Sequence, residues 1–556
     1  MQRFSLAALL VLALGAGARA QNFADCLPEK TVFYVSLDNV ARMRDRIEKS
    51  GFKAMWNDPA MELMRKAFEQ QIEESADDTL DPSELFGLVQ GQMALAMIPR
   101  DQTAYATLGM MDMTGKRDEI MAFLQKARED VAEGIEVRET EDEFNGYTIT
   151  TRESLAEGAE EPVADYYAIK ENVFFICDDL DVLKDALVRR DAEEKSGLAQ
   201  TAAFQKVTAS VRQRPDVRWF VPASLWLREL GMAAGFLPLA GLENVRGVGG
   251  QLTIDDRGVS MQILVHNTGE ARGLLKLLGT NVPNLGPPAL FPADSDPTVA
   301  LALDWGYLYE EVFRVLKFTQ PELEQQLLAG IGQMEQQLGF KLKEDLFDSL
   351  APGFSYGMLP IPQEGEGGEL TFEQLQDEAF MSQFVVMAQK LKNKETIARL
   401  MSKMVAQEGS GMKESEYLGT TIWESTGEGE PVFTITGDHL VMALKLESVQ
   451  AMIRRQGKEM KGVSDSEAFR KMVDLIPAKR SMLAMVNPAA GETGLIYEGF
   501  KAGFAASAPE GMSEQLPTRE FFKKYLGLFV YSLSMEEQGL MFTLFWNVKP
   551  KEAEAE

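Results

Sequence analysis

The stretch that decides the fold is AIKENVFFICDDLDVLKDAL, residues 168–187. It predicts the end of one strand, a tight turn at Glu171, a buried strand and then a helix, because a β-rich apolar run passes into helical apolar spacing. Residues 434–453, TITGDHLVMALKLESVQAMI, repeat this plan. The two stretches align at a constant offset of 266 residues, which pairs Ile169 with Ile435. This repetition indicates one architecture written twice.

The same order of segments recurs along both halves of the chain. We therefore expect an α+β fold of two tandem homologous halves, each an antiparallel β-sheet with helices packed on it. The corresponding segments are 32–37 with 299–303, 85–99 with 346–360, 104–131 with 384–405, 144–151 with 417–424, 203–204 with 468–469, 219–222 with 481–488, and the turns at 255–258 and 536–539.

These matches give the expected domain boundaries. Five prolines in residues 281–297 stiffen that segment and exclude it from a central sheet, so it reads as a connector. The expected order is a signal peptide at 1–20, a first α+β repeat at 21–268, a helix and Pro-rich connector at 269–296, a second α+β repeat at 297–548, and a disordered acidic tail at 549–556.

Composition and charge limit the function classes. The 556 residues exceed one ordinary domain, and 45% hydrophobic with 25% charged residues is a globular composition. The 85 acidic residues outnumber the 56 basic ones, giving a net charge of −29. Such a chain is repelled by phosphate backbones and anionic membranes, so we expect no nucleic-acid binding.

The first twenty residues have the pattern of a secretory signal peptide. A basic start with Arg3 precedes an apolar run at 4–14, and Ala18-Arg19-Ala20 is an A-x-A cleavage site. We expect cleavage after Ala20 and export to the periplasm or the medium. No later run is long enough to predict a transmembrane segment.

Export to an oxidising compartment raises the question of the two cysteines, Cys26 and Cys177. Adjacent strands of one sheet would bring them within bonding range, so a disulfide and two buried free thiols are both open. Two cysteines and two histidines are too few for a Cys/His zinc site, and we expect no metal and no cofactor.

Residues 27–64 carry a resemblance to a known family. The features are Leu27-Pro28, the apolar strand after them, a polar residue before the helix, and Asn57-Asp58-Pro59. The segment resembles the N-terminus of a family of exported bacterial proteins known only as a domain of unknown function. The resemblance implies export and this architecture, and it brings no catalytic residues.

The motif nearest to an enzyme signature is Gly353-Phe354-Ser355-Tyr356-Gly357, a formal G-x-S-x-G. In serine hydrolases this pattern makes a strand-to-helix elbow. Here Pro360 and Pro362 follow and cannot start a helix so soon, so we expect a strand. A triad would also need His439, which falls at a predicted hairpin turn. The other histidine, His266, ends a predicted strand.

Acidic pairs offer a second candidate chemistry, but they read as local structure. Two of them, at 255–256 and 536–537, lie in predicted hairpin turns, and Asp178 or Asp179 is placed to cap a helix. A milder signal is apolar: the helices predicted at 225–242 and 496–506 are rich in Gly, Ala and large apolar residues, and Met-rich surfaces adapt to varied partners.

We therefore expect an exported, soluble, non-catalytic protein with a binding or structural role in the cell envelope or outside the cell. Its partner would be a protein, an envelope component or an apolar ligand. Two alternatives remain: a serine hydrolase using Ser355, and a carrier of an apolar or lipid-like ligand.

Overall fold

The structure is a computed structural model of the chain. By its contacts the chain divides into unit one, residues 1–234, 244–268 and 548–556, and unit two, residues 235–243 and 269–547. The structure describes residues 22–66, 85, 87–101, 104–129, 135–156, 162–209, 214–225, 237–360, 378–407, 409–427, 430–456, 461–486 and 517–548. The expected signal peptide and acidic tail lie outside these ranges.

The strands of unit one form an antiparallel sheet. They are β1 (Phe33–Leu37), β2 (Met93–Pro99), β3 (Tyr105–Asp112), β4 (Ile135–Phe144), β5 (Tyr147–Ala156), β6 (Val163–Lys170), β7 (Val173–Cys177), β8 (Val217–Pro222), β9 (Val245–Asp255) and β10 (Gly258–Asn267). Their order across the sheet is β4-β5-β6-β7-β3-β2-β1-β8-β9-β10.

The helices of unit one cover this sheet. They are α1 (Val40–Lys49), α2 (Gly51–Trp56), α3 (Arg117–Glu129), α4 (Leu180–Asp191) and α5 (Ala202–Ala209). Asn39 caps α1 by accepting a hydrogen bond from the Arg42 N–H at 2.8 Å. Phe204 of α5 meets the rings of Tyr34 and Phe220 edge to face, with centroids 5.7 and 5.4 Å away. These buried aromatic contacts fix α5 on the sheet.

Unit two contains the remaining elements. Its strands are β11 (Val282–Pro283), β12 (Thr298–Leu301), β13 (Leu350–Met358), β14 (Val385–Leu391), β15 (Met412–Tyr417), β16 (Thr420–Ser425), β17 (Val432–Thr436), β18 (His439–Ala443), β19 (Lys479–Arg480), β20 (Met482–Val486), β21 (Leu526–Glu536) and β22 (Gly539–Val548). The order β15-β16-β17-β18-β14-β13-β12-β20-β21 is antiparallel throughout. β11 pairs with β19.

The helices of unit two include a pair, within residues 305–338, that the sequence patterns described above do not predict. They are α6 (Leu237–Ala240), α7 (Gly273–Leu278), α8 (Trp305–Thr319), α9 (Pro321–Leu338), α10 (Glu378–Ser382), α11 (Lys394–Ala406), α12 (Leu446–Arg455), α13 (Glu467–Val473) and α14 (Arg519–Tyr525). The core of the unit collects fully buried side chains, among them Phe291, Val386, Val441 and Val530.

The deciding stretch folds as predicted. β6 ends at Lys170, Glu171 takes a positive φ of 57° in the turn, and β7 follows at Val173. Asp179 then caps α4, its carboxylate accepting hydrogen bonds from two backbone N–H groups, each at 3.0 Å. The mixed fold of antiparallel sheets with helices packed on them is confirmed. Among the residues described, no helix combines the length and apolar character that crossing a bilayer requires.

Candidate functional site

Ser355 lies in the middle of a central strand. It is 3% exposed, and β13 continues beyond it to Met358 without a turn into a helix. Its ladder partners are Ala300 on one side and Ala388 on the other. The strand prediction is therefore confirmed, because a nucleophile elbow needs the serine exposed on a strand-to-helix turn.

The proposed triad partner is also out of reach. Ala388 pairs with Val441, two residues along β18 from His439. Two strand spacings and two residues separate Ser355 from His439 by about 12 Å. A Ser–His pair must be within hydrogen-bond reach, about 3 Å. The serine hydrolase alternative at Ser355 is wrong for this geometric reason.

The two histidines occupy different units. The Nδ1 atom of His439 lies 2.7 Å from an oxygen of Asp438. Burial lowers the pKa of His439, although Asp438 opposes this shift. His266 is buried at the end of β10, with 5% of its surface exposed.

The acidic pairs serve local structure. Asp178 accepts a hydrogen bond from the Thr107 N–H at 2.9 Å and pairs with Arg100 at 2.7 Å. Asp179 is the helix cap, so that prediction is confirmed. Asp255 accepts the Arg257 N–H at 2.9 Å within the predicted turn. In the described part of the chain, no three His, Cys, Asp or Glu side chains cluster as a metal site.

Both cysteines are buried free thiols in the structure. Burial raises the pKa of Cys26 to about 12 and that of Cys177 to about 12. Cys26 has Arg190 as a charged neighbour, at the C-terminal end of α4, whereas Cys177 hydrogen-bonds with Asp179, at its N-terminal cap. A helix of 12 residues is about 18 Å long. The charged groups that act on the two thiols therefore belong to opposite ends of α4.

A buried ionic cluster joins α1 to the sheet of unit one, and the sequence reading missed it. Asp216 has no exposed side-chain surface and pairs with Arg42 at 3.3 Å and Arg46 at 2.8 Å. The same carboxylate accepts the Ile254 N–H at 2.8 Å. These hydrogen bonds satisfy the buried charge, so the cluster is a structural clamp.

A second feature is the helical hairpin, which we define as α8 and α9, residues 305–338. Asp304 caps α8, and Pro321 begins α9. Neither helix contains a buried residue. Its large exposed apolar side chains are Val312 at 45%, Phe318 at 70%, Leu323 at 38%, Leu327 at 42% and Leu328 at 42%.

The anchoring contacts of the helical hairpin lie at its base. Trp305 donates through Nε1 to Gln389 at 2.7 Å, and its ring meets Phe354 edge to face. At the other end of the pair, Lys403 donates to the Gly339 carbonyl at 2.9 Å. The exposed apolar side chains begin beyond these contacts, toward the turn at Gln320. The hairpin is therefore held firmly at one end.

A third feature is an open cleft of about 480 Å³ on unit one. Its floor is apolar and is formed by Pro28, Ile98 and Val182. Its rim is charged and consists of Glu29, Lys30, Asp181, Asp185 and Arg189. We call this feature the unit-one cleft. Of the two apolar helices expected at 225–242 and 496–506, the first lies outside the described residues over 226–236 and the second lies wholly outside them.

Comparisons with known proteins give one family and one distant structure. No curated protein matches the chain. A solved structure, crystal form I of TP0453, is 10% identical with a TM-score of 0.20, and the match covers 46% of this chain and 81% of that one. The family model described as "Protein of unknown function (DUF3352)" matches residues 108–385, half of the chain. This match begins after the N-terminal stretch that carried the resemblance, and it shows that the chain belongs to the DUF3352 family.

Proposed function

We propose that this chain is an exported, non-catalytic binding protein of the cell envelope or the extracellular space, and that the helical hairpin is the surface its partner covers. The observation that carries the proposal is a set of five large apolar side chains, 38–70% exposed, on a single pair of helices. A single exposed apolar residue needs no explanation, but a concentration of them on one element favours an interaction surface.

The spacing of these side chains fits a partner with an apolar groove. Leu323 and Leu327 are four residues apart and therefore lie on the same face of α9. An amphipathic helix that binds a groove presents its anchors in this spacing. The two helices do not bury these side chains against each other, since neither has a buried residue. Export is supported by the signal-peptide pattern at 1–20.

We further propose that the two units arose by tandem duplication. The strand order β4-β5-β6-β7-β3-β2-β1-β8-β9 of unit one is matched, element by element, by β15-β16-β17-β18-β14-β13-β12-β20-β21 of unit two. The register agrees as well: Ile169 pairs with Phe174, and Ile435 pairs with Leu440. Both pairs are related by the offset of 266 residues that the sequence contains.

Details outside the sheets support the duplication. Phe204 and Phe469 are both buried, and the N–H of each is capped by the hydroxyl three residues earlier, from Thr201 and Ser466. Gly197 and Gly462 each lie so close to neighbouring backbone that a Cβ atom would meet a backbone atom at 2.1 and 2.9 Å. A shared ancestor accounts for a capped, buried phenylalanine and a closely packed glycine at corresponding places in both units.

Photo-crosslinking in the organism that makes the protein tests the binding surface. A photoreactive residue at Leu327 is expected to give one discrete adduct, whereas the same residue at Gln336, an exposed polar position on α9, gives none. Leu323→Gln should remove the adduct from position 327 without changing the melting temperature, because the leucine is already exposed. Equal adducts from both positions, or none from either, would refute the proposal.

An experimental structure tests the duplication separately. Residues 31–267 are expected to superpose on residues 297–547 with matching strand order. A different strand order in the two halves would remove the duplication while leaving the crosslinking result intact.

A further inference from the structure

The two units differ in the length of the connection between one pair of corresponding strands. In unit one, β2 and β3 are joined by residues 100–104. In unit two the corresponding strands, β13 and β14, are joined by residues 359–384, and this longer connection includes α10. The end of the longer connection, residues 378–384, packs against the body of unit two.

Residues 378–384 of unit two pack beside β13 and α12. The Leu359 N–H donates to the Phe384 carbonyl at 2.9 Å, and the Ser448 hydroxyl of α12 donates to the Gln383 carbonyl at 3.5 Å. The Lys445 ammonium lies 5.1 Å from the centre of the Phe384 ring. Met381 of α10 is buried against Met358.

The positions contacted by this segment correspond to the floor of the unit-one cleft. In unit one Ala96 pairs with Leu108, and the corresponding pair in unit two is Gly357 with Val386. Ile98 and Leu359 each lie two residues beyond the first member of these pairs, so Ile98 is the counterpart of Leu359. The helix offset of 266 makes Val182 the counterpart of Ser448. The connection of unit one, residues 100–104, is too short to supply such a segment, and the unit-one cleft lies at the corresponding place.

We propose that the unit-one cleft binds a short segment of a partner protein, apolar at its centre and basic at one end. The inference rests on the duplication proposed above, because the segment at 378–384 shows the kind of occupant that this place takes. The proposed occupant is a peptide as long as the unit-two segment, about two helical turns.

The charge of the occupant follows from the rim. Lys30 donates to the Pro99 carbonyl at 3.0 Å, and Arg189 pairs with Asp185 at 2.9 Å. Glu29 and Asp181 have no ion-pair partner within the described residues. The rim carries three acids (Glu29, Asp181, Asp185) and two bases (Lys30, Arg189), a net charge of −1, and a basic residue on the occupant complements this excess of acid.

Two synthetic peptides built on the segment of unit two test the proposal with the full chain. One is KKAFMSQF and the other EEAFMSQF, each with a fluorophore, and binding is read by fluorescence anisotropy at low salt. The basic peptide is expected to bind roughly tenfold more tightly than the acidic one, as two rim contacts of ordinary strength allow.

Variants of the cleft assign the binding to this place. Glu29→Lys with Asp181→Lys should reverse the preference between the two peptides. Val182→Trp should abolish binding by filling the floor, and Val182 is a half-buried helix position where a larger side chain still folds. Glu193→Lys with Glu194→Lys is the matched control, since both residues are exposed acids outside the cleft.

The outcomes separate this inference from the proposed function. Binding of the basic peptide that both cleft variants weaken and the control leaves unchanged supports it. Binding that ignores the peptide charge or the cleft variants, or no binding of either peptide at millimolar concentration, overturns it. Crosslinking at Leu327 and the superposition of the two units do not depend on the cleft, so their results stand in either case.

Discussion

Arg46 and Asp216, which are 170 residues apart in the chain, are joined by hydrogen bonds from one guanidinium nitrogen to both carboxylate oxygens, at 2.9 and 2.8 Å. Arg46 lies on α1, and Asp216 comes immediately before β8, so the pair clamps the helix to the sheet of unit one. The counterpart of Asp216 in unit two is Ser481. The Asp216 carbonyl accepts the N–H of Asp38, just after β1, and the Ser481 carbonyl accepts the N–H of Ala302, just after β12.

Removing the carboxylate of Asp216 should destabilise unit one. Asp216→Ala leaves two arginines without their buried partner, and we expect a loss of about 3 kcal/mol in the free energy of unfolding. Urea unfolding followed by tryptophan fluorescence measures it. Asp45→Ala is the control, because the Asp45–Lys49 pair is exposed and should contribute about 0.4 kcal/mol. Equal effects would show that the buried cluster is not a clamp.

A strained turn in unit two should be relieved by one substitution. Leu418 has a φ of 51° and is 71% exposed, and the corresponding turn residue in unit one is Asn145, also at 51°. Asparagine tolerates this region better than leucine does. Leu418→Asn should therefore raise the free energy of unfolding by about 1 kcal/mol, and Asn145→Leu should lower it by about as much. Thermal unfolding of both variants checks the pair, and a loss of stability in Leu418→Asn contradicts it.

The stability of unit two should fall as the pH drops below 6.5, the pKa of an unburied histidine. Burial lowers the pKa of His439 in the folded chain, so the unfolded chain takes up the proton first. The stability contribution of His439 is present above pH 6.5 and is lost as the pH falls through the folded pKa. Urea midpoints between pH 8 and pH 5 should slope less in His439→Gln. Asp438 raises the pKa of this imidazole and Lys390 lowers it, so both face the group that titrates. An unchanged slope would show that groups other than His439 cause the pH dependence.

The thiols should be unreactive in the folded protein. Cys26 and Cys177 are buried, and burial raises the pKa of each to about 12, so almost no thiolate exists at pH 8. Under non-reducing conditions we expect no labelling by a thiol reagent in the native state and two labels after unfolding in guanidinium. No label after unfolding, with an intact mass lower by the two thiol hydrogens, would instead establish the Cys26–Cys177 disulfide.

The sequence predicts those features that are written locally. The turn at Glu171 and the helix cap at Asp179 follow from residues adjacent in the chain, and so does the strand containing Ser355, since the prolines after it forbid a helix. The repeated order of segments also follows, because corresponding apolar strands keep their order and, from β6 to α4, their spacing. These predictions need no knowledge of distant contacts.

Other features depend on contacts that local patterns do not encode. In the sequence Asp216 has the context of an ordinary loop residue. Only the fold brings it into contact with Arg46, 170 residues away. The unit-one cleft also depends on such contacts, because its lining residues come from three separate parts of the chain, near residues 28–30, 98 and 181–189. The helical hairpin had a signal that was overlooked: Asp304 as a cap, Pro321 at the start of the second helix, and leucines at 323 and 327.

The unequal connections also mark a place where the chain can be lengthened. Residues 359–384 demonstrate that this strand pair accepts a long excursion at its tip without losing its ladder, so the shorter loop at 100–104 offers an acceptor site for grafted sequence. A fluorescent reporter or an affinity epitope inserted there should leave the sheet of unit one intact, and it would follow Ile98, a lining residue of the cleft, closely in the chain.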